Sequence, residues 1–541
     1  MKIKIAYLNF WTGEDDLRWF TIYIKHHIGE TEIISYKNNP DILFCSCMGD
    51  INEAQKTQSK LKIFFTGENL NRYPPYNNLE LLKKIFNILL LFNKTNIHEN
   101  IIRLPLWILY YKYYELKQND NILIYIQKSY KTNIIKKKEF LGSLVARTDF
   151  NNLRKVLYNI LSTYGNVLCP SSLLNNCENI GSDKQDKINF ISKSLINICP
   201  ENSLNEGYHT EKIFQALEGG TIPVYWAVDY PEKELLKNES YLFLSTEDIN
   251  NNNIENKINY LINNYQKYIV NELFEPCAIY IIDNYYSTLK WQIKLKLNLI
   301  EKQKIYGISY ASRRFINRYN IIQDIAEKSN FFDYFKCYKE DDISLDFKNK
   351  FKKIWDSYRG GGYWIWKNYL ILEKLKEIND NDILIYFDAG CHLNINDIAK
   401  DKLNNYINLV NSHWCGLLKF ELTHKEYKFT NKYTINYFEN KFKIKIDLNK
   451  NQLHATIVIL RKNKFTIDYF EKINEILYEN PYLFTDKYNL ENEQHRHDQS
   501  ISSLLYKIMG GSLILEDDTY FSNENKHFEN FYPILAKRLT N

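Results

Sequence analysis

The sequence predicts an α/β protein with parallel sheets, organised in two or three domains. Apolar segments of strand length alternate with amphipathic, helix-like segments in residues 1–135, and a second alternation begins at Ile305. Between them, residues 195–226 have the order strand, polar loop, helix and strand, which is the pattern of a βαβ unit. The 541 residues exceed one ordinary core, and an apolar content of 45% with 25% charged residues is typical of globular chains.

Charge and cysteine usage exclude several classes of protein. The net charge of +5 is small for this length and gives no indication of nucleic-acid binding. The 9 cysteines include no Cys-x-x-Cys pair, which predicts free thiols in a reducing compartment. The N-terminus enters an apolar strand directly, and no apolar run is long enough to span a membrane. We therefore expect a cytoplasmic protein, either soluble or peripheral to a membrane.

Residues 1–138 are predicted to form a first Rossmann-like half. Its predicted elements are strands over 3–9, 33–36 and 42–46, a helix over 15–28, and a further strand that runs into a loop within 61–69. Glu68 stands just past the last of these strands, at the edge where parallel sheets usually carry their chemistry. Taken alone, Glu68 is either a catalytic carboxylate or a loop carboxylate that caps the following turn.

Residues 139–300 are predicted to form a second half. Its predicted elements are strands over 141–146, 195–199 and 221–226, and helices over 153–164, 210–217 and 272–300. Backbone N–H groups and Lys212 at the start of the second helix suit a diphosphate, because dipole and charge act together. Glu211 can accept hydrogen bonds from sugar hydroxyls, and Tyr208 can stack or donate. The alternative is an ordinary surface helix capped by Thr210.

The same stretch resembles the donor-site signature of the family 10 α1,3-fucosyltransferases, F-E-N-(S/T), Y-x-T-E-K and P-(V/I)-x-W-G. The matching residues are Glu201, Asn202, Ser203, Tyr208, Thr210, Glu211, Lys212, Pro223, Val224 and Trp226. Ala227 replaces the glycine that ends the family pattern. The run Phe64-Phe65-Thr66-Gly67-Glu68-Asn69 is similar to the family's F-Y-T-G-E-N, whose glutamate is the proposed general base. The resemblance covers about residues 1–290.

This resemblance implies a GT-B-like pair of half-domains, with the acceptor on the 1–138 side and the donor on the 139–300 side. It implies inverting transfer of L-fucose from GDP-fucose to a glycan hydroxyl without a metal cofactor, with Glu68 as the base. The residues expected to bind the donor are Arg154, Asn202, Tyr208, Glu211 and Lys212. Arg154 matches the family's phosphate-contacting arginine in position, and Arg147 is its rival.

Residues 303–541 are predicted to form a further α/β domain. A glycine-rich and aromatic stretch, 355–367, leads into a helix, and the strand over 381–388 ends in Asp388-Ala-Gly390. Asp388 resembles the first acid of the Asp-x-Asp site of GT-A-like glycosyltransferases, which hold Mn²⁺ or Mg²⁺ against a nucleotide diphosphate. Gly390 occupies the position of the second acid, so Asp388 can also be an aspartate that begins a turn.

A polar cluster at 493–500 precedes a helix predicted over 501–508. The candidate residues of this domain are Trp364, Lys367, Asp388, His454, Arg496, His497 and Asp498, with Asp388 and His497 as candidate metal ligands. As a set they resemble a poorly characterised group of microbial and viral glycosyltransferase-like domains, which implies a second nucleotide sugar. The combined prediction is a bifunctional glycosyltransferase of a microbe or a virus-infected cell that acts on an oligosaccharide or glycoconjugate.

Two other functions fit parts of the sequence. The departures at Ala227 and Gly390 favour a glycan-binding or structural protein on a decayed transferase scaffold. The joint presence of Glu68, Glu211 and Lys212 favours an enzyme, because a binding protein needs no base. A nucleotide-sugar-modifying enzyme of another kind would need a G-x-G-x-x-G fingerprint after a strand, and the sequence contains none.

Overall fold

The computed structural model describes residues 2–11, 18–92, 101–111, 122–149, 152–231, 234–491, 493–517, 519 and 530–540. The chain divides into two compact units, Met1–Ile300 and Glu301–Asn541. Both units are mixed α/β structures that contain parallel strands. Most of the first turn of the helix predicted over 15–28 lies outside the described residues.

The first unit contains a six-stranded sheet with the order β2-β1-β3-β4-β5-β6, in which all neighbours are parallel. Its strands are β1 (Ile3–Leu8), β2 (Thr31–Ile33), β3 (Ile42–Cys45), β4 (Leu61–Phe65), β5 (Ile88–Leu91) and β6 (Ile101–Arg103). Its helices are α1 (Trp19–His27), α2 (Ile51–Lys56) and α3 (Leu79–Ile85). All four residues of β3 and of β5 are buried, as expected for strands of a sheet that is covered on both faces.

A second sheet of the same unit has the order β11-β10-β9-β7-β8 and is also parallel. Its strands are β7 (Phe140–Ser143), β8 (Val167–Leu168), β9 (Ser194–Ile198), β10 (Ile222–Trp226) and β11 (Leu242–Leu244). The helices of this half are α4 (Ile122–Ile134), α5 (Leu153–Ser162), α6 (Lys184–Ile191), α7 (Glu211–Glu218), α8 (Thr246–Asn250), α9 (Ile254–Asn264) and α10 (Ala278–Lys296). The strand order reverses between β7 and β9, and such a switch point leaves a crevice at the carboxyl ends of both strands.

The predicted βαβ unit is confirmed as β9, α7 and β10, within one or two residues at each end. The strand predicted over 33–36 was misplaced, because Tyr36 begins a 3₁₀ turn whose N-cap is the Ser35 side chain. The helix predicted to begin near 272 begins at Ala278 instead. Pro276 explains this difference, because the residue before a proline avoids helical backbone angles.

The second unit contains a mixed sheet with the order β13-β12-β14-β18-β16-β17, in which β19 pairs with β16. Its strands are β12 (Ile305–Tyr310), β13 (Tyr334–Tyr338), β14 (Ile383–Phe387), β16 (Leu417–Lys425), β17 (Asn451–Leu453), β18 (Ile457–Arg461) and β19 (Ile514–Glu516), while β15 (His392–Leu393) pairs with β20 (Ile534–Leu535). Strands β12, β13 and β14 are parallel, whereas β18 runs antiparallel to β14. Asp388 directly follows β14, at the switch point between β12 and β14.

The helices of the second unit connect and cover this sheet. They are α11 (Arg318–Ser329), α12 (Leu345–Lys350), α13 (Lys352–Trp355), α14 (Gly360–Tyr363), α15 (Ile365–Glu377), α16 (Asp397–Ser412), α17 (Glu426–Phe429), α18 (Lys432–Phe442), α19 (Lys464–Glu479) and α20 (Asp498–Ile508). All residues from Gly360 to Trp364 have positive φ, so the chain enters α15 through a left-handed turn. Three consecutive glycines begin this turn because only glycine adopts such angles without steric cost.

Candidate active site

A buried glutamate organises the loop between β9 and α7. The side chain of Glu201 is almost fully buried, with 1% relative exposure. Its carboxylate accepts hydrogen bonds from the Thr210 N–H at 2.8 Å, the Tyr225 hydroxyl at 2.8 Å and the Lys212 ammonium at 2.7 Å. Burial by itself raises the pKa of Glu201, but the charge and hydrogen bond of Lys212 outweigh burial and hold that pKa below its ordinary value. Glu201 therefore holds the start of α7 against β10 as a carboxylate.

The Lys212 side chain lies at the start of α7 and points back to this carboxylate. Its ammonium also donates to the Thr210 hydroxyl at 2.7 Å, so at least one of its three donors remains for a ligand. Burial disfavours the charge of Lys212, yet Glu201 and Glu211 raise its pKa above the ordinary lysine value. Thr210 occupies the N-cap position but makes no side-chain cap, because its hydroxyl donates to Glu201. The alternative of a surface helix capped by Thr210 is therefore wrong.

A pocket lies at the carboxyl ends of β7 and β9, beside α7. Its lining includes residues 144 and 145, residues 197–200 and the side chains of Arg154, Lys187 and Lys212. The guanidinium of Arg154 is buried and donates to the Thr148 and Pro200 carbonyls, the latter at 3.1 Å. The rival arginine, Arg147, is exposed. Three cationic side chains thus converge at the switch point of the sheet, an arrangement that suits a polyanionic group.

The loop before α7 is held by side-chain contacts on both sides. The Tyr208 hydroxyl donates to the Asn202 side chain at 3.2 Å, and the Tyr208 ring packs edge-on against Phe92 with 5.2 Å between ring centroids. Gly207 has a φ of +72°, and a Cβ there would lie 2.5 Å from the Phe92 carbonyl oxygen. Asp229, in the segment where the sequence departs from the family pattern, accepts from the Gly207 N–H at 2.9 Å. The segment after Trp226, although it differs from the family pattern, therefore helps to hold the loop before α7 in place.

Glu68 stands just past β4 with its side chain half-buried. Its carboxylate makes no hydrogen bond or ion pair with any described residue, although its backbone N–H donates to the Thr66 hydroxyl at 3.0 Å. The pKa of Glu68 is raised above its ordinary value, first by burial and also by the charge of Glu211. The charges of Arg72 and Lys212 oppose this shift. Glu68 therefore lies within electrostatic range of the residues at the start of α7.

Direct contacts link the loop that carries Glu68 to the loop that carries Asn202. The Asn69 amide donates to the Ser203 hydroxyl at 2.7 Å and to the Leu204 carbonyl at 3.2 Å. Arg72 donates to the Asn202 carbonyl at 2.9 Å. The two sheets of the first unit thus bring the candidate base and the candidate donor residues into one region.

Two residues of this site had no predicted role. Glu201 was noted only as a signature match, and its part in the site becomes evident from Tyr225, a partner far along the chain. Lys187 lies on α6, in a stretch where the family resemblance is weak, and it is brought to the pocket by the fold. No helix was predicted over α6, and a lysine on the polar face of a helix carries no signal that distinguishes it from a solvated one.

In the second unit, three predicted residues form a buried ionic cluster. The Lys367 ammonium, on α15, lies 3.3 Å from an Asp388 carboxylate oxygen and 3.0 Å from an Asp498 carboxylate oxygen. It also donates to the Ala455 carbonyl at 3.2 Å, and the Tyr386 hydroxyl donates to Asp388 at 2.5 Å. Burial disfavours the charge of Lys367, but Asp388 and Asp498 raise its pKa above the ordinary lysine value. The cluster therefore fixes the carboxyl end of β14 against the start of α20.

Two further buried groups lie near this cluster. Burial and the charge of Lys367 lower the pKa of Lys419 to about 7, and its ammonium donates to the Ser502 hydroxyl at 2.8 Å. Burial lowers the pKa of His454 to about 4, against the charges of Asp517 and Asp388. His454 is therefore neutral at physiological pH, and its Nδ1 hydrogen-bonds the Thr519 hydroxyl at 2.9 Å.

The remaining candidates of the second unit have other partners. Trp364 stacks on His497 with 5.4 Å between ring centroids, and His497 hydrogen-bonds Asp486 at 3.0 Å. Burial lowers the pKa of His497 to about 4, so in this contact a neutral imidazole donates its Nε2–H to the Asp486 carboxylate. Arg496 is exposed, and its guanidinium lies 5.0 Å from the centroid of the Phe429 ring. The predicted set therefore divides into the Lys367 cluster, His454 with its partner Thr519, the Trp364–His497 pair and an exposed arginine.

Asp388 and His497, the candidate metal ligands, are not joined by other side chains of the described residues that could complete a metal site. Among the described residues, no group of three or more His, Cys, Asp or Glu side chains could hold a metal ion. Lys367 lies between Asp388 and Asp498, and His497 contacts Asp486. Metal binding by Asp388 and His497 stays a prediction that these contacts do not support.

Replacing Lys367 by Met is expected to lower the free energy of unfolding of the full chain by about 3–5 kcal/mol. The substitution leaves the buried carboxylate of Asp498 without its cation, and an unpaired buried charge is costly, whereas Asp388 is partly exposed. Denaturant unfolding measures the loss. Lys376→Met is the matched control on the same helix, because Lys376 is exposed and forms an ion pair with the partly exposed Glu373. A Lys367→Met variant as stable as the control would contradict the role assigned to the cluster.

Comparison with known proteins gives a consistent result for the first unit. Residues 5–110 match the family described as "Alpha-(1,3)-fucosyltransferase FucT N-terminal domain", and residues 134–281 match "Glycosyltransferase family 10 (fucosyltransferase) C-term". Alpha-(1,3)-fucosyltransferase FucT of Helicobacter pylori is 25% identical over 252 residues, which cover 41% of this chain. The chain spans half the length of that relative.

Similar solved structures include glycosyltransferases. A crystal structure of α1,3-fucosyltransferase with GDP-fucose has 19% identity and a TM-score of 0.38, and covers 53% of this chain and 90% of its own. A glycosyltransferase involved in glycosylation of the major capsid of PBCV-1 has 10% identity and a TM-score of 0.26, and covers 43% and 93%. In the described part of the chain, no helix has the length and apolar character that crossing a bilayer requires. The family matches place glycosyltransferase family 10 fucosyltransferase domains over roughly residues 5–281.

Proposed function

We propose that the first unit is an inverting α1,3-fucosyltransferase that moves L-fucose from GDP-fucose to a hydroxyl of an oligosaccharide or glycoconjugate. The observation that carries this proposal is the Glu201-centred start of α7, which holds Lys212 beside Arg154 at the switch point of a parallel sheet. The half-buried carboxylate of Glu68, which has no hydrogen-bond or ion-pair partner among the described residues, lies within electrostatic range of Lys212 and Glu211. The two family 10 domain matches support the choice of donor.

In the proposed reaction, an acceptor hydroxyl attacks the anomeric carbon of fucose from the face opposite the diphosphate. The acceptor O–H bond breaks and its proton passes to Glu68, while a new C–O bond forms to the sugar. The bond from the anomeric carbon to the phosphate oxygen breaks, and GDP departs with the electron pair. The transition state has oxocarbenium character, as in glycoside hydrolysis. Configuration at the anomeric carbon is inverted because there is a single displacement.

The residues around the pocket supply binding and charge stabilisation for this step. Lys212 and Arg154 lie where the departing diphosphate gains negative charge, and fixed cations there lower the barrier without a metal ion. Glu211, at the first position of α7, is the acceptor for sugar hydroxyls. Tyr208 and Asn202 hold each other in the loop before α7, which limits how the sugar can orient.

A panel of nucleotide sugars, read out by the release of nucleotide from the full chain, tests this proposal. We expect turnover with GDP-fucose and an acceptor, and slower hydrolysis without an acceptor. Tight GDP binding with no turnover of GDP-fucose under any acceptor would favour the glycan-binding alternative. Turnover of a different nucleotide sugar that requires Glu68 would overturn fucose as the donor.

The second unit is proposed as a further nucleotide-sugar-dependent transferase of GT-A-like type, which would make the protein bifunctional. Its support is the placement of Lys367, Asp388 and Asp498 at the carboxyl end of β14, where α/β sheets bind ligands. The same panel, repeated with Lys212→Met, isolates its activity. A panel with no donor turned over by that variant would leave one transferase in the chain.

A further inference from the structure

Three cations line the pocket beside α7, and they differ in what they contact. Lys212 donates to Glu201 and Thr210, and the Arg154 guanidinium donates to two backbone carbonyls. Lys187, on α6, lines the same pocket, and within the described ranges its ammonium makes no hydrogen bond and no ion pair. Lys187 is the cation of this pocket without a partner in the described protein.

The surroundings of Lys187 disfavour its charged form, so the stability of the fold does not explain why a lysine lies in this pocket. Burial lowers the pKa of Lys187, and the like charge of Lys212 adds to that shift, while the charges of Glu211 and Glu201 oppose it without restoring the ordinary lysine value. A solvated lysine on the outer face of α6 would avoid this desolvation. A residue retained at a cost to stability inside a pocket is characteristic of a binding site.

We infer that Lys187 is a third diphosphate-binding residue, whose ammonium contacts the phosphates of a sugar nucleotide together with Lys212 and Arg154. The inference rests on the proposed function for the donor class and adds a residue that no motif indicates. The geometry supports it, because the side chain of Lys187 and the ends of β7 and β9 line one pocket. When a diphosphate binds, its oxygens accept charge-assisted hydrogen bonds from the Lys187 ammonium, which makes none within the described ranges.

Equilibrium binding of GDP and guanosine to the full chain, with and without Lys187→Gln, tests the inference. We expect the variant to bind GDP roughly 10- to 100-fold more weakly, which is the range for losing one hydrogen bond to a charged group. Guanosine affinity is expected to stay unchanged, because the lost contact is to phosphate. The matched control is Lys193→Gln, since Lys193 is half-exposed and pairs with Glu139 outside the pocket.

A melting experiment without ligand separates a binding role from a structural one. Lys187→Gln removes a desolvated charge whose pKa is lowered by burial, so its melting temperature is expected to equal or exceed that of the wild type. A variant that melts lower, or that binds GDP within twofold of the wild type, would overturn the inference.

Inorganic pyrophosphate and other nucleoside diphosphates distinguish this inference from the proposed function. Binding of pyrophosphate but not GDP, weakened by Lys187→Gln, would keep Lys187 as a diphosphate-binding residue and overturn GDP-fucose as the donor. GDP binding that is insensitive to Lys187→Gln would leave the fucosyltransferase proposal intact and remove Lys187 from it. A wild-type chain that binds none of these anions would overturn both.

Discussion

Replacing Glu68 by Gln is expected to lower the rate of fucose transfer by roughly 10²- to 10⁴-fold, the range of a general base, with unchanged GDP affinity. Glutamine keeps the size of the side chain and its hydrogen-bonding capacity but cannot accept the acceptor proton. Since the Glu68 carboxylate has no hydrogen-bond or ion-pair partner among the described residues, its neutralisation breaks no contact there. The measurement is transfer from GDP-fucose to an acceptor, with GDP affinity determined in parallel.

Glu80→Gln is the control for this experiment. Glu80 is an exposed carboxylate that pairs with Lys83 in the first turn of α3, and its loss is expected to leave the rate unchanged. A Glu68→Gln enzyme with more than a tenth of the wild-type rate would remove Glu68 as the base. A variant that has also lost GDP affinity would assign Glu68 to donor binding instead.

The pH dependence of transfer gives a separate test of Glu68. Burial raises the pKa of this carboxyl above its ordinary value, with Arg72 and Lys212 opposing the shift. The base form therefore disappears as pH falls through a value higher than the glutamate norm of about 4.3. The acid limb of kcat/KM is expected above that norm in the wild type and absent from the residual activity of Glu68→Gln. An acid limb at or below the norm would contradict the assignment.

Replacing Lys212 by Met is expected to lower the transfer rate by roughly 10²- to 10³-fold, by analogy with removing one charge-stabilising group from a transition state. The same change is expected to lower the free energy of unfolding by about 3–5 kcal/mol, because Glu201 loses its cation in a buried position. Rate and denaturant unfolding are measured on the same preparation.

The double variant Lys212→Met with Glu201→Gln separates the two effects. Removing the Glu201 charge is expected to restore most of the lost stability, whereas activity stays low because the cation for the diphosphate is still missing. Recovery of activity together with stability would show that Lys212 acts only through the fold. If the double variant is no more stable than Lys212→Met, Glu201 is held mainly by its hydrogen bonds to Thr210 and Tyr225.

Local patterns were sufficient for the strand and helix that carry the candidate donor site. Residues 195–226 contain an apolar run, a polar loop, an amphipathic run and a second apolar run, in that order. The three runs correspond to β9, α7 and β10, and the polar loop ends where α7 begins. The position of Glu68 after β4 follows equally from the apolar run before it. These features depend on neighbours in sequence, which a single sequence displays.

Features that depend on distant partners were not predictable in the same way. The Glu201 contact to Tyr225 joins the ends of two strands, and the ion pair of Lys367 with Asp498 joins α15 to α20, which is far along the chain. The different fates of Arg496 and Asp498 depend on where α20 begins, because Asp498 is its first residue and turns inward. The helix predicted over 501–508 begins three residues earlier, at Asp498, and the position of this boundary decides which side chain is buried.

The most direct test of the account is an experimental structure of the full chain with GDP bound. We expect the diphosphate to lie between Lys187, Lys212 and Arg154 at the ends of β7 and β9. We also expect the Glu68 carboxylate to face the side of the β-phosphate from which fucose has departed. Density for GDP in that pocket with these three contacts would support it. A diphosphate bound elsewhere, or a Glu68 side chain turned away from it, would contradict the account.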